Sequence, residues 1–235
     1  MNEVQILLVT AASIAFMHTI LGPDHYVVFA AMGKARKWSL AKTLRVTVIC
    51  GIGHVLSSVL IGAIGLLVGA KLLSLVEIEG LRGSIAGWAL LAFGLMYFAW
   101  GLRQAGRSHR HSHIHVHEDV VHTHEHDHHH DHLHVHDSAS RRSITPWVMF
   151  VIFVLGPCEA LIPLFMYPAA QQNPGLVVAV ASVFGVVTLL TMVAAVTVTT
   201  IGLRQLKTSA LGRWEHAAAG ASVALCGGAI TFIGL

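Results

Sequence analysis

Charge is what this chain has least of: of its 235 residues 11% are Asp, Glu, Lys or Arg, while 54% are apolar and the mean hydropathy is +0.67. A water-soluble domain carries about 25% charged residues, so that class is excluded. Cysteine is nearly as scarce. Cys50, Cys158 and Cys226 are widely spaced and form no CxxC, which rules out a disulfide framework and leaves the redox compartment undefined. No GxxxxGK[ST] motif occurs, so the chain carries no phosphate-binding loop of that kind to draw on ATP. The first apolar run has Glu3 in front of it, no basic leader and no small-residue cleavage pattern, and is expected to remain as a helix. The formal net charge of +3 lies in basic loops and implies no nucleic-acid partner.

What the chain does have is apolar runs long enough to cross a bilayer, which takes about 20 helical residues. They predict an all-α membrane protein of six transmembrane helices, near 4–32, 43–70, 82–104, 144–169, 175–202 and 213–234. Lys34, Arg36, Lys37, Lys42 and Arg45 follow the first helix. Arg103, Arg107, Arg110, Arg141 and Arg142 flank the third loop, and Arg204, Lys207 and Arg213 precede the sixth helix. Basic loops stay cytoplasmic, so a multi-pass protein of the cell (inner) membrane is expected, with both termini outside. Lys71, Glu77, Glu79 and Arg82 are assigned to an outer loop, where their charges cancel.

Fourteen of the eighteen histidines fall in a cytoplasmic tract from His109 to His136, interleaved with Asp and Glu. With almost no large apolar residues it cannot build a core, and it is expected to be a disordered loop that buffers transition metal. It divides the chain into a first three-helix repeat at 1–104, the tract with its flanks at 105–142, and a second three-helix repeat at 143–235. The halves share a local pattern: Leu21-Gly22-Pro23-Asp24-His25 in the first helix and Leu155-Gly156-Pro157-Cys158-Glu159 in the fourth. Three helices per repeat force opposite insertion, so two inverted repeats are expected, with helices 1 and 4 broken at Gly-Pro and a site at the midplane.

Within the expected spans, the only formally charged side chains away from the ends are Asp24 and Glu159, each just past Leu-Gly-Pro. A carboxylate at that depth costs about 2.5–3.5 kcal/mol and is retained for a partner or a function; no intramembrane Lys or Arg is expected to pair with it. His18, His25 and His54 lie in the same spans, where a single histidine is more often hydrogen-bonded structure than a ligand. Three of them, with carboxylates and the thiol of Cys158, suit nickel, cobalt, zinc or copper better than magnesium or calcium. The candidate metal ligands are therefore His25, Asp24, His54, Glu159, His18 and Cys158.

These residues resemble the signatures of the nickel/cobalt transporter family and of related UreH-like permeases. The resemblance rests on His18-Thr-Ile-Leu-Gly-Pro-Asp24-His25, on Ile52-Gly53-His54 with Ser57 and Ser58 close behind, and on Leu155-Gly156 with Glu159. It departs from the family in three places. Five residues rather than four separate His18 from Asp24, the serines are displaced, and Cys158 stands where the family has Asp. The resemblance implies a permease, not an enzyme, passing nickel or cobalt, with zinc also allowed, past the two helix breaks. The metal would be cargo rather than a resident cofactor, and the expected partners are membrane lipids and metallochaperones or metalloenzyme maturation proteins. Two other readings stand beside it: an accessory role in urease or hydrogenase maturation, and export of another small solute. A membrane carrier of electrons to thiols would need a cysteine in each half at matching positions. Pro157-Cys158 has Pro23-Asp24 as its counterpart, which argues against that class.

Overall fold

A computed structural model describes residues 2–69, 72–107, 112–117, 120–125, 144–156, 158, 160–205 and 212–234. Eight helices organise them: α1 (Glu3–Leu21), α2 (Val27–Ala35), α3 (Leu40–Leu67), α4 (Leu72–Arg107), α5 (Thr145–Leu155), α6 (Leu161–Ala170), α7 (Pro174–Gln205) and α8 (Glu215–Ile233). Single 3₁₀ turns at Pro23–His25 and Gly212–Trp214 precede α2 and α8. Five segments are long and apolar enough to cross a membrane: Glu3–Leu21, Leu40–Leu67, Leu72–Gly106, Pro174–Gln205 and Gly212–Ile233. The chain is a multi-pass helical membrane protein, and the shorter apolar helices α5 and α6 complete its bundle.

Side-chain oxygens start several of these helices. Asn2 accepts from the Gln5 amide at 2.8 Å, Ser39 from the Lys42 amide at 3.2 Å and Asn173 from the Leu176 amide at 3.0 Å. Leu56, Leu60, Leu190 and Val198 point outward from α3 and α7, an apolar exterior that suits lipid. The interior falls into two clusters. One gathers Phe29, Met32, Cys50, Met149, Phe153, Met192 and Cys226; the other gathers Ala11, Ala15, Cys158, Leu161, Phe165 and Phe184.

The most extensive helix pairing, α4 with α8, rests on glycine. A Cβ at Gly94 or Gly101 would strike the backbone of Ala224 or Ala217, and one at Gly220 or Gly227 would strike the backbone of Phe98 or Leu91. Seven-residue spacing on both helices keeps these positions on one seam, where the backbones approach without intervening side chains.

Three expectations need correction. Helix α4 begins at Leu72, a full ten residues before the expected third span, because Leu72-Leu73-Ser74-Leu75-Val76 continues its apolar helical pattern. Glu79 and Arg82 consequently sit within a helix and not in an outer loop. They form a buried ion pair, with 0% and 12% of the side chain exposed, so the spans do contain an Arg. The histidine tract, expected to lack regular structure, includes an antiparallel hairpin, β1 (Ser112–His117) with β2 (Val120–Glu125), in which Ser112 pairs with Glu125. Ile114, Val116, Val120 and Val121 alternate with polar residues or border them, which favours strand over coil.

Candidate metal centre

Gly-Pro unwinds the chain where the site forms. Helix α1 closes at Leu21, Gly22 takes an extended conformation (φ −84°, ψ 96°), and the 3₁₀ turn Pro23–His25 redirects the chain into α2. The second break follows the same logic: α5 ends at Leu155, Gly156 is extended (φ −60°, ψ 138°), and α6 starts at Leu161. Pro23 has no amide to donate and cannot continue the α1 ladder.

Between these breaks the three intramembrane histidines converge. One nitrogen from each of His18, His25 and His54 lies within 4.8 Å of the others. The ring centroids of His18 and His25 are 5.0 Å apart, and those of His25 and His54 are 5.3 Å apart. His25 and His54 are almost wholly buried, at 3% and 2% exposure. His18 and His25 do not meet through two regular helical turns; the 3₁₀ turn folds His25 back toward His18.

Hydrogen bonds assign the tautomers. A carbonyl oxygen only accepts, so Nδ1 of His54, 3.2 Å from the Phe153 carbonyl oxygen, carries the proton. Nδ1 of His25 lies 3.1 Å from the Gly22 carbonyl oxygen and 3.2 Å from Asp24 Oδ1, and it too is the donor. Their Nε2 atoms are left as acceptors, buried and without a partner among the described residues. Such orphaned atoms are rare in native interiors. A histidine that ligates metal through one nitrogen and donates its other N–H to a carbonyl or carboxylate has the same arrangement.

Cys158 completes the lining. Its Sγ is 4.0 Å from His18 Nε2, and its side chain is fully buried. A cavity of about 260 Å3 reaches this cluster, bordered by His18, Gly22, Asp24, His25, His54 and Ile230. Gly22 makes the room: a Cβ there would stand 2.6 Å from His25 Nδ1 and 2.9 Å from Asp24 Oδ1. Phe29 packs on Phe153 at 4.6 Å between ring centroids, and Phe153 in turn borders His25 and His54.

Five of the six residues singled out from sequence thus come together: His18, Asp24, His25, His54 and Cys158. Asp24 contributes through His25. Glu159 lies outside the described residues. Sequence reasoning missed Glu79 and Arg82, which bind the second break from α4, and Phe153, whose carbonyl orients His54. The signal for the first pair was an acid and a base three residues apart, the spacing of helical neighbours, between two apolar runs.

The fold and the site define a class, a polytopic helical membrane protein with broken helices that meet at a buried histidine centre. The chain belongs to the family described as the cytochrome C biogenesis protein transmembrane region, whose family model matches residues 25–229. No curated protein and no solved structure matches it. The family match overturns the resemblance to nickel/cobalt transporters and, with it, the metal-cation permease. That resemblance rested on a few residues at each of three points, all already imperfect, whereas the family model extends over most of the bundle. Buried polar residues beside Gly-Pro breaks belong to an architecture that different functions share.

Proposed function

We propose that this chain is a membrane protein of the cytochrome c biogenesis class whose centre holds a borderline or soft transition-metal ion, through His18, His25 and His54 with Cys158 as a fourth donor. The observation that carries this reading is the conjunction of buried, unpartnered Nε2 atoms on His25 and His54 with the approach of one ring nitrogen from each of them and from His18 to within 4.8 Å. Nitrogens sharing a tetrahedral ion are about 3.3 Å apart at metal–nitrogen lengths of about 2.0–2.1 Å, so modest side-chain rotation closes the site. Asp24 orients His25 and adds negative charge beside a bound cation. Imidazole with a thiol selects zinc, copper or a similar ion over calcium and magnesium.

Thiol–disulfide transfer, the chemistry linked with this class, needs two sulfurs within bonding reach. Here Cys158 has Asp24 as its counterpart across the repeat, and Cys50 and Cys226 belong to the other interior cluster. A held metal ion is the chemistry these side chains support. The centre binds rather than transforms, and the partners would be proteins that receive or supply the metal during maturation.

The arrangement we propose around this centre is six spans in two inverted halves, 1–104 and 143–235, with α1–α2 and α5–α6 as the broken spans. Helix packing supports it. α1 packs on α7 as α5 packs on α3, and α2 packs on α8 as α6 packs on α4, while α4 meets α8 and α3 meets α7. Each of these six pairings maps onto another of them or onto itself when the halves are exchanged. The basic loops favour a cytoplasmic 105–142 and termini outside an inner membrane.

The test is metal content after desalting, with Cu(I), Zn, Co and Ni offered one at a time to protein lacking residues 109–136, so that the histidine tract contributes nothing. An equimolar ion retained by this variant, and lost from a His25→Ala/His54→Ala version of it, is the expected result. No ion retained, or equal retention by both, overturns the reading.

A further inference from the structure

A helix that stops inside a bilayer leaves its last carbonyls without partners, and each bare one costs several kcal/mol there. At the second break these groups are met from α4. Arg82 Nη2 donates to the Val154 carbonyl at 2.7 Å and to the Gly156 carbonyl at 3.4 Å. On the other side of the break, the Cys158 amide donates to Glu79 Oε2 at 3.1 Å. The same pair reaches α3, where Arg82 Nη2 donates to Ser57 Oγ at 2.7 Å and Arg82 Nη1 to Ser58 Oγ at 3.2 Å, while the Ser58 hydroxyl donates to Glu79 Oε2 at 3.0 Å. Glu79 and Arg82 are directly paired, one turn apart on α4.

Satisfying carbonyls alone would not require a buried ion pair, which is a costly device compared with apolar packing. This pair holds both edges of the break, and it ties them to the helix that carries His54. The first break differs. Among the described residues it is held by its own backbone, His25 N–H to the Gly22 carbonyl at 3.1 Å and Tyr26 N–H to the Pro23 carbonyl at 3.3 Å, with the Tyr26 hydroxyl on the Ile20 carbonyl at 3.4 Å.

We infer that Glu79 and Arg82 are positioning residues of the centre: they lock Val154, Gly156 and Cys158 to α3 so that Cys158 Sγ and His54 face His18 and His25. The centre then has one side, His54 with Cys158, tied by an ion pair from another helix, and one side, His18 with Asp24 and His25, whose break is hydrogen-bonded locally among the described residues. Neither Glu79 nor Arg82 touches the ligand; they act through the peptide groups of Val154, Gly156 and Cys158. The inference rests on the metal-holding reading for its purpose, but the positioning itself has a readout that needs no metal.

The experiment compares Glu79→Gln, Arg82→Lys and Glu79→Ala/Arg82→Ala in a Cys50→Ala/Cys226→Ala background, where Cys158 is the sole thiol. Helical content and monodispersity in detergent establish folding; Glu79→Gln, which removes the ion pair, and Arg82→Lys, which removes the forked donor set, keep approximate side-chain size and carry the test should the double variant fail. The first readout is the alkylation rate of Cys158 by a small maleimide, without metal. Release of the segment raises it about tenfold or more over the parent. The second is affinity for Cu(I) or Zn together with sulfur ligation seen by X-ray absorption. Affinity falls about 10–100-fold with loss of the sulfur contribution, and adding Cys158→Ser has no further effect. Unchanged alkylation in folded variants overturns the positioning role. A parent that binds no metal, with variants that still unmask Cys158, leaves the positioning role standing and removes the metal-holding function.

Discussion

His54 Nδ1 donates to the Phe153 carbonyl oxygen at 3.2 Å, a bond that joins the middle of α3 to the last turn of α5 and leaves Nε2 buried and without a partner among the described residues. The bond serves two needs at once. It gives the Phe153 carbonyl, which also accepts from the Gly156 amide at 3.0 Å, a second donor at the end of α5, and it fixes the tautomer of a prospective ligand.

Removing that imidazole should therefore cost more than an outer-shell change. His54→Ala is expected to lower affinity for Cu(I) or Zn by more than about 100-fold, beyond the 10–100-fold range of outer-shell substitutions. Competition against a chromophoric chelator measures this, with protein lacking residues 109–136 as the reference.

Asp24 makes the complementary case. It touches His25 Nδ1 at 3.2 Å and keeps 19% of its side chain exposed, so it orients a ligand while bordering the cavity. Asp24→Asn keeps an acceptor for the His25 N–H and loses the charge. The expected result is a loss of affinity of about 10–100-fold, smaller than that of His54→Ala, in the same competition assay.

Gly22→Ala tests how closely the first break is built. The new Cβ would stand 2.6 Å from His25 Nδ1, so the ring must move. Thermal unfolding in detergent should show a destabilisation of about 1–3 kcal/mol, as for overpacked interiors, accompanied by loss of metal affinity. Gly106→Ala, where a Cβ meets nothing within 4 Å, should leave both unchanged.

Gly220→Val addresses the α4–α8 seam. Its side chain would be driven into the backbone at Tyr97 and Phe98, which cannot yield as a side chain tip can. A substantial drop in unfolding temperature and in the yield of monodisperse protein is expected. The same change at Gly202, which faces open space, should have little effect on either.

Much of this was legible in the sequence because the signals were local. Apolar runs marked the long helices, and Gly22-Pro23 and Gly156-Pro157 marked the breaks, since a proline cannot donate to the helix ladder. His18, His25 and His54 stood out because polar groups at that depth need a reason to be there. What could not be read was how the breaks are held. Glu79 and Arg82 looked like cancelling loop charges; their role depends on α4 starting at Leu72 and lying against Ser57, Ser58 and the end of α5, relations far apart in the chain. The family was misread for a related reason. Asp24-His25 and Gly53-His54 report what surrounds the centre, while membership shows in the pattern from residue 25 to residue 229.

The most direct test of the central claim is X-ray absorption on the Cu(I)- or Zn-loaded protein lacking residues 109–136, with and without Cys158→Ser. The account predicts outer-shell imidazole scattering from several histidines plus one sulfur, and the sulfur should vanish in Cys158→Ser while the imidazole signal remains. An ion surrounded only by oxygen, or no ion bound at all, would contradict it.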